Sequence, residues 1–470
     1  MLDKKFFDRT DELNSLEERF HSNKPELIVI YGKRRVGKTE LVKQFFKNKQ
    51  YLYLLGDKRS DPDLLRDFTT TTGKFFDDIG VEMSGLPDWV TFFKYLQNKI
   101  KNKRTAIVVD EFPYLVNANK AIPSLFQKGW DEYLQYTNTF MILMGSSISM
   151  MERGALSYSS PLYGRRTGQM MLQPLTLKGS LPFFSKKELE EQIEFYSVLG
   201  GMPAYLLQFS ENKTLLQNIR NNILRKDAFL YNEVEFVLRE ELKEPKQYFT
   251  ILKEIAFGRT KVNELSQATG LERNILSRYL SILENLRIIK REVPVTEKHP
   301  DRSRKGLYKI DDNYFKFWFE FVFPNRSSIE KDETEFVMDN IEHGLNRFIG
   351  HSFEEICRQL LWELLRQKKL PFTFTKVGKW WYKGSEIDIV ALNEKTDDIL
   401  FIECKWQSDV DASKVLNILR DKVVSIDWNI DRRKEYFAVF AKHFKRRTTG
   451  ENIYLFDLED IKDILNNHTT

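Results

Sequence analysis

Residues Gly32-Lys33-Arg34-Arg35-Val36-Gly37-Lys38-Thr39 have the types and spacing to hold a chain of phosphates. They stand directly behind the apolar run Leu27-Ile28-Val29-Ile30 and ahead of the helix-like Glu40-Leu41-Val42-Lys43-Gln44-Phe45-Phe46. Glycines let the backbone turn tightly enough for its N–H groups to ring a phosphate at a helix N-terminus. Lys38 would reach the β- and γ-phosphates, and the Thr39 hydroxyl would hold Mg²⁺. A purely structural glycine turn is the competing reading, and the strand before and helix after weigh against it. The expectation is ATP or GTP with Mg²⁺.

A second apolar run, Thr105-Ala106-Ile107-Val108-Val109, ends in Asp110-Glu111. Asp110 would organise the Mg²⁺ shell and Glu111 would orient or deprotonate the attacking water. The alternative is an acidic pair at a strand end, exposed to solvent. A third run, Phe140-Met141-Ile142-Leu143-Met144, leads into Gly145-Ser146-Ser147. In a doubly wound parallel sheet its end lies beside the other two, where Ser146 or Ser147 could sense the γ-phosphate or simply shape the loop. Arg165 and Arg166 follow a turn. They could neutralise transition-state charge in cis or across the boundary of a homo-oligomer, or sit solvated on the surface.

Glu386-Ile387-Asp388 and Glu403-Cys404-Lys405 fall in two short strand-like segments joined by the turn-rich Asn393-Glu394-Lys395-Thr396-Asp397-Asp398, which reads as a β-hairpin. Side chains alternate along a strand, so Glu403 and Lys405 share one face, as do Glu386 and Asp388. Burying such groups together costs several kcal/mol unless a metal or mutual pairing compensates. Asp388 and Glu403 can coordinate Mg²⁺, which polarises a phosphodiester and lowers the pKa of bound water. Lys405 would orient that water or stabilise the pentavalent phosphorus. Glu354, on the amphipathic helix Phe353-Glu354-Glu355-Ile356-Cys357-Arg358-Gln359-Leu360-Leu361, could complete the acidic set. A surface hairpin of alternating charge is the competing reading.

Between these regions the pattern from Gln247 to Leu286 is helical, broken at Phe257-Gly258 and Thr269-Gly270. Gly270 reads as the turn of a helix-turn-helix whose second helix begins near Glu272. Leu276, Leu280, Leu283 and Leu286 face its core, leaving Arg273, Asn274, Ser277, Arg278 and Ser281 on the open face. Arg and Asn there suit base edges in a major groove. Two strand-like pieces follow, joined by a basic loop in which Lys298, Arg302, Arg304 and Lys305 could touch phosphates. This reads as a winged helix, with DNA as partner; the alternative is an internal lid with solvated cations. The run Phe315-Lys316-Phe317-Trp318-Phe319-Glu320-Phe321-Val322-Phe323 reads as core packing rather than a base-stacking platform. The polar stretch from Asn325 to Glu335 reads as a linker.

Composition frames these motifs. With 41% apolar and 30% charged residues the chain is an ordinary globular protein of about three domains. Its net charge of +5, from 73 basic and 68 acidic residues, neither requires nor excludes nucleic acid, because a patch is what binds phosphates. No apolar stretch approaches a membrane span, and the charged start Met1-Leu2-Asp3-Lys4-Lys5 is not that of a signal peptide. Cys357 and Cys404, the two cysteines, make neither a disulfide framework nor a zinc site of the usual kind, and the six histidines lack metal-ligand spacing. Buried thiols in a reducing cytoplasm are expected.

The first half of the chain resembles the archaeal ATPase family of P-loop proteins, in the wider AAA/STAND-like group. The matching features, in order, are Phe6-Phe7-Asp8-Arg9-Thr10-Asp11-Glu12-Leu13, the G-K-R-R-V-G-K-T loop, V-V-D-E-F, Gly145-Ser146-Ser147, P-L-Y-G-R-R and Gly200-Gly201-Met202-Pro203-Ala204-Tyr205-Leu206. The resemblance implies that Asp8 and Arg9 lie near the adenine and that the Gly-Gly-Met-Pro segment belongs to a helical lid. The last third resembles the PD-(D/E)XK nuclease superfamily, which implies an active site of Glu354, Asp388, Glu403 and Lys405. Here E-I-D stands where that superfamily has P-D, and no sharp Gln/Tyr motif follows.

The expected architecture is therefore a multidomain α/β protein: a P-loop ATPase domain with a doubly wound parallel sheet (1–177), a helical lid (178–243), a winged helix (244–324) and a nuclease-like α/β domain (336–470). The expected activity is ATP hydrolysis whose cycle places the winged helix on DNA and gates a metal-dependent nuclease. The alternatives are a nucleotide-dependent switch that cuts nothing and a chaperone-like ATPase acting on protein.

Overall fold

The computed structural model describes residues 6–100, 103–242 and 244–466, so the charged start lies outside the described residues. The chain forms two compact units, Met1–Pro174 with Met202–Ala204, and Leu175–Gly201 with Tyr205–Thr470.

The first unit is built on five parallel strands: β1 (Glu26–Tyr31), β2 (Tyr51–Leu55), β3 (Thr105–Asp110), β4 (Thr139–Gly145) and β5 (Gly168–Met171), in the order β2-β3-β4-β1-β5. Strands covered on both faces read as continuous apolar runs rather than alternating ones. β3 and β4 are accordingly buried along their whole length. Leu27, Val29, Ile107, Val109, Met141 and Leu143 pack from one sheet face against Phe93, Phe112 and Phe126. Because β4 lies between β1 and β3, the ends of all three strands meet at one edge of the sheet, where such folds place their ligands.

In the second unit, Phe315, Phe317, Trp318, Phe319 and Phe321 are buried, and Trp318 Nε1 donates to the Tyr231 carbonyl at 2.9 Å. The aromatic run is core. Helices Pro245–Ala256, Val262–Thr269 and Arg273–Asn285 follow one another, with Gly270 in the left-handed region (φ 69°) ending the second. The antiparallel pair β6 (Ile289–Glu292) and β7 (Leu307–Ile310) comes next. The stretch read as a linker contains a helix, Arg326–Glu330, and a 33-residue helix, Thr334–Arg366, carries Glu354. Beyond it, β8 (Lys376–Tyr382), β9 (Ser385–Asn393) and β10 (Asp398–Lys405) are antiparallel neighbours. A short β11 (Val410–Asp411) leads into helix Ala412–Val423. β12 (Lys434–Ala441) then runs parallel to β10, β13 (Phe444–Arg446) pairs with β11, and β14 (Ile453–Phe456) closes the sheet beside β12. The hairpin read from the sequence is β9–β10, with Asp398 opposite Asn393 and Ile402 opposite Ile389.

Candidate functional site

The loop from Gly32 to Thr39 joins β1 to helix Lys38–Phe45. Gly32 has φ 153°, and a Cβ there would stand 2.5 Å from the Leu172 carbonyl oxygen, so no other residue fits. Gly37 (φ 97°) caps the helix, and Arg35 also takes a left-handed φ of 72°. Lys38 is buried, its Nζ donating to the carbonyls of Gly32 (3.0 Å) and Lys33 (3.1 Å). The ammonium is thus held by carbonyls of its own loop.

Asp110 ends β3 within reach of this loop. Its Oδ2 accepts from Thr39 Oγ1 (3.1 Å) and from the Tyr53 hydroxyl (2.7 Å), and its Oδ1 accepts from the Glu111 N–H (2.9 Å). Burial and the Asp110 carboxylate together push the Tyr53 phenol well above its ordinary pKa. Glu111 is left-handed (φ 51°) and turns toward the end of β4, where Ser146 donates its hydroxyl to Oε1 (2.6 Å) and its N–H to Oε2 (3.3 Å). Of the two serines considered, Ser146 makes these contacts. Hydroxyl and carboxylate oxygens side by side are the donor set a hard divalent cation takes.

Arg9, left-handed at φ 73°, is buried. Its guanidinium donates to Val36 O (3.2 Å), Gln173 O (2.7 Å) and Glu12 Oε1 (3.0 Å), and so braces the loop from behind, while Asp8 is exposed. Pro203 Cγ lies 3.8 Å from where a Cβ on Gly37 would be. Arg165 is ion-paired to Asp131 (3.0 Å); Arg166 donates to Leu156 O (2.8 Å) and lies over the Tyr163 ring (4.6 Å).

In the second unit Glu403 is 2% exposed, with one carboxylate oxygen on Lys405 Nζ (2.8 Å) and the other on Lys422 Nζ (2.5 Å). Asp388 Oδ2 accepts from the Cys404 N–H at 2.9 Å. Burial, then the charges of Glu403 and Glu354, push Asp388 up to about 7. Glu354 stands 3.2 Å from Lys379 Nζ and 3.6 Å from His351 Nδ1. Burial works to raise its pKa, and His351 and Lys379 outweigh it, holding Glu354 at about 2. Glu386, exposed, faces Lys379 at 3.5 Å. The acidic residues named from the sequence do converge, with lysines already on Glu403 and Glu354. Among the described residues no group of three or more His, Cys, Asp or Glu side chains stands ready to hold a metal ion.

On helix Arg273–Asn285, Leu276, Leu280 and Leu283 are buried, and Arg273, Asn274, Ser277, Arg278 and Ser281 are exposed. Lys298, Arg302, Arg304 and Lys305 are exposed on the β6–β7 connection, Lys305 pairing with Glu297 at 2.6 Å.

A family described as "ATPase domain predominantly from Archaea" matches residues 6–209. An uncharacterized protein of Methanocaldococcus jannaschii is 38% identical over 97% of this chain and 99% of its own length. The chain belongs to this predominantly archaeal ATPase family. A second relative from the same organism, an uncharacterized ATP-binding protein, is 22% identical over 63% of the chain and 89% of its own length. Among solved structures, the Walker-type ATPase of Pyrococcus abyssi superposes with a TM-score of 0.50 at 21% identity, over 67% of this chain and 97% of that one, a likeness of fold. Residues 190–312 match a domain of unknown function, and residues 318–416 match a family described as archaeal and bacterial proteins of unknown function.

For this archaeal-type ATPase, sequence motifs missed Tyr53, Lys379 and Lys422. Each reaches its partner from a different element, and none lies in a recognisable local pattern. Among the described residues no helix is long and apolar enough to cross a membrane.

Proposed function

We infer that this ATPase binds ATP with Mg²⁺ at the Gly32–Thr39 loop and hydrolyses it. The observation that carries this reading is the joint placement of Thr39, Asp110 and Glu111: a hydroxyl 3.1 Å from a carboxylate, with a second carboxylate held close by. Thr39 and Asp110 would hold the Mg²⁺, which neutralises developing charge on the phosphates. Lys38 exchanges its loop carbonyls for phosphate oxygens. Glu111 takes the proton of the attacking water or orients it, and Ser146 positions Glu111. Arg165 and Arg166 remain candidates for a charge-neutralising contact, in cis or from a neighbouring copy. Asp8 and Arg9 border the adenine side of the site. Steady-state ATP turnover tests this: Lys38→Ala should abolish binding and Glu111→Gln should abolish turnover while nucleotide still binds. Turnover unchanged in both would refute the assignment.

The second unit is assigned DNA as partner, with Arg273, Asn274, Ser277 and Arg278 toward base edges and Lys298, Arg302, Arg304 and Lys305 toward phosphates, in the manner of a winged helix. The convergence of Glu354, Asp388, Glu403 and Lys405 supports a metal-dependent nuclease of the PD-(D/E)XK kind, gated by the nucleotide. Asp388 and Glu403 would hold its Mg²⁺.

A second reading, a nucleotide-dependent switch that binds DNA without cutting, is favoured by one observation. Both oxygens of Glu403 are occupied by Lys405 and Lys422. Incubation of single-stranded, duplex and branched DNA with Mg²⁺ or Mn²⁺, with and without ATP, separates the two. Cutting lost in Lys405→Ala supports the nuclease, and its loss in Lys38→Ala shows gating. ATP turnover with no cutting of any substrate supports the switch.

A further inference from the structure

Glu403 has one ammonium more than its own charge calls for. Lys405 Nζ stands 2.8 Å from one of its oxygens and Lys422 Nζ 2.5 Å from the other, and the carboxylate is buried. Lys405 is there by strand geometry, two residues further along β10 and so on the same face. Lys422 comes from another element. Leu416, Leu419 and Val423 of helix Ala412–Val423 share one apolar core with Ile399 and Phe401 of β10 and Val439 of β12. Ile399, Phe401, Glu403 and Lys405 alternate along one side of β10, so the helix covers the side to which Glu403 points. Its last turn carries Lys422 to the carboxylate. Among the described residues neither lysine is ion-paired to any other carboxylate.

The charges around Glu403 decide what this arrangement can do. Asp388, on the Cys404 N–H, is the second carboxylate of the centre, and its charge acts on Lys405. Glu354 is matched separately by Lys379 at 3.2 Å. Lys405 and Lys422 therefore balance Glu403 and an ionised Asp388. A divalent cation held by those two carboxylates would leave the group two charges positive, beside a residue so buried that water screens little. One ammonium has to leave. Lys405, on the strand itself, stays within the centre wherever its stem turns. Lys422 sits at the end of its helix, two residues before Val424, which is 81% exposed. A long apolar stem at such a position lets the charged head swing out to water while the core residues keep their places.

We propose that Lys422 latches this centre: it holds a Glu403 oxygen while no divalent cation is bound, and it leaves Glu403 when Asp388 and Glu403 take one. What the cation then does rests on the nuclease reading; the exchange of ammonium for cation is visible without any cutting. A latched chain keeps the exposed face of helix Arg273–Asn285, so DNA bound there stays whole until Lys422 has moved.

The test is Mn²⁺ titration of the nucleotide-free full chain, followed by electron paramagnetic resonance, in an Asp110→Asn background that removes the Thr39–Asp110 site. Lys422→Met should tighten Mn²⁺ binding about tenfold or more. Lys422→Arg should leave it as weak as in the parent, and adding Glu403→Gln to Lys422→Met should abolish the gain. Damage to the fold would weaken binding, so a gain is not what a merely structural lysine would give. A second readout follows the ammonium directly: acetylation of Lys422 by a water-soluble reagent, scored by peptide mass spectrometry, should rise on saturation with Mn²⁺ while that of exposed Lys414 does not. Equal or weaker Mn²⁺ binding in Lys422→Met, or Lys422 labelling indifferent to Mn²⁺, overturns the latch alone. Tightened Mn²⁺ with no DNA cut by Lys422→Met, Asp110 restored and ATP present, overturns the nuclease alone. No Mn²⁺ bound by any of these variants overturns both.

Discussion

Ser146 donates its hydroxyl to Glu111 Oε1 at 2.6 Å and its N–H to Oε2 at 3.3 Å, so the end of β4 holds the carboxylate that ends the adjacent strand. Both oxygens are fixed, and the left-handed backbone of Glu111 (φ 51°) is stabilised by what they grip. Ser146→Ala removes the shorter bond and leaves the loop that binds phosphates intact. ATP turnover should then fall about tenfold with nucleotide Kd unchanged, since a general base that loses its orientation loses part of the ~10²–10⁴ it supplies. A matching loss of ATP affinity, measured by titration with a fluorescent nucleotide, would show that Ser146 holds the loop and not Glu111.

Tyr53 shows where the sequence stops speaking. The loop, Asp110 and Glu111 are legible because each motif is contiguous and its chemistry is local. Tyr53 reaches Asp110 only because β2 pairs with β3 in a register that puts Tyr53 opposite Val108 and Leu55 opposite Asp110, a relation no short pattern encodes. Lys379 and Lys422 are hidden for the same reason, coming to Glu354 and Glu403 from β8 and from helix Ala412–Val423. The long helix was legible only around Phe353 to Leu361. Its earlier turns carry Gly344 and Gly350, whose low helix propensity is overridden by packing such as Phe348 against Phe317 and Phe321.

The Tyr53 hydroxyl donates to the same Asp110 oxygen that Thr39 uses. Groups that orient a metal-binding carboxylate from behind typically tune metal affinity by ~10–100-fold. Tyr53→Phe should raise the Mg²⁺ concentration needed for half-maximal ATP turnover about tenfold, with turnover at saturating Mg²⁺ little changed. An unaltered Mg²⁺ dependence would reduce Tyr53 to a packing residue.

Glu292 should make the second unit acid-sensitive. Burial works against its ionisation, yet Lys290, Lys309 and Arg358 hold it down to about 2. A carboxylate with a depressed folded-state pKa binds fewer protons than in the unfolded chain, so its stabilisation is complete above about pH 5 and lost as pH falls toward 2. Glu354, also held at about 2, adds in the same direction. Glu292→Gln should cost about 2–3 kcal/mol at neutral pH, leaving Lys309 short of its counter-charge while Lys290 keeps Glu355. It should also flatten the acid limb of denaturant melts between pH 5 and 2. An unchanged acid limb would place the sensitivity elsewhere.

Asp388 has the opposite sign. Burial and the neighbouring charges of Glu403 and Glu354 raise it to about 7, so the folded chain binds this proton more tightly than the unfolded one. Stability therefore falls as pH rises from about 4 to 7, and above 7 the ionised carboxylate is a standing cost. Asp388→Asn keeps an oxygen to accept the Cys404 N–H and removes the charge. It should raise the melting temperature at pH 8 by several degrees, and the gain should shrink as pH falls toward 4, where Asp388 is protonated. If the cluster is a nuclease centre, the same variant should lose all metal-dependent cutting. A carboxylate kept at a cost to stability and required for cleavage is one selected for chemistry. A variant stabilised at pH 8 with every activity intact would instead mark Asp388 as a residue whose charge this protein does not use.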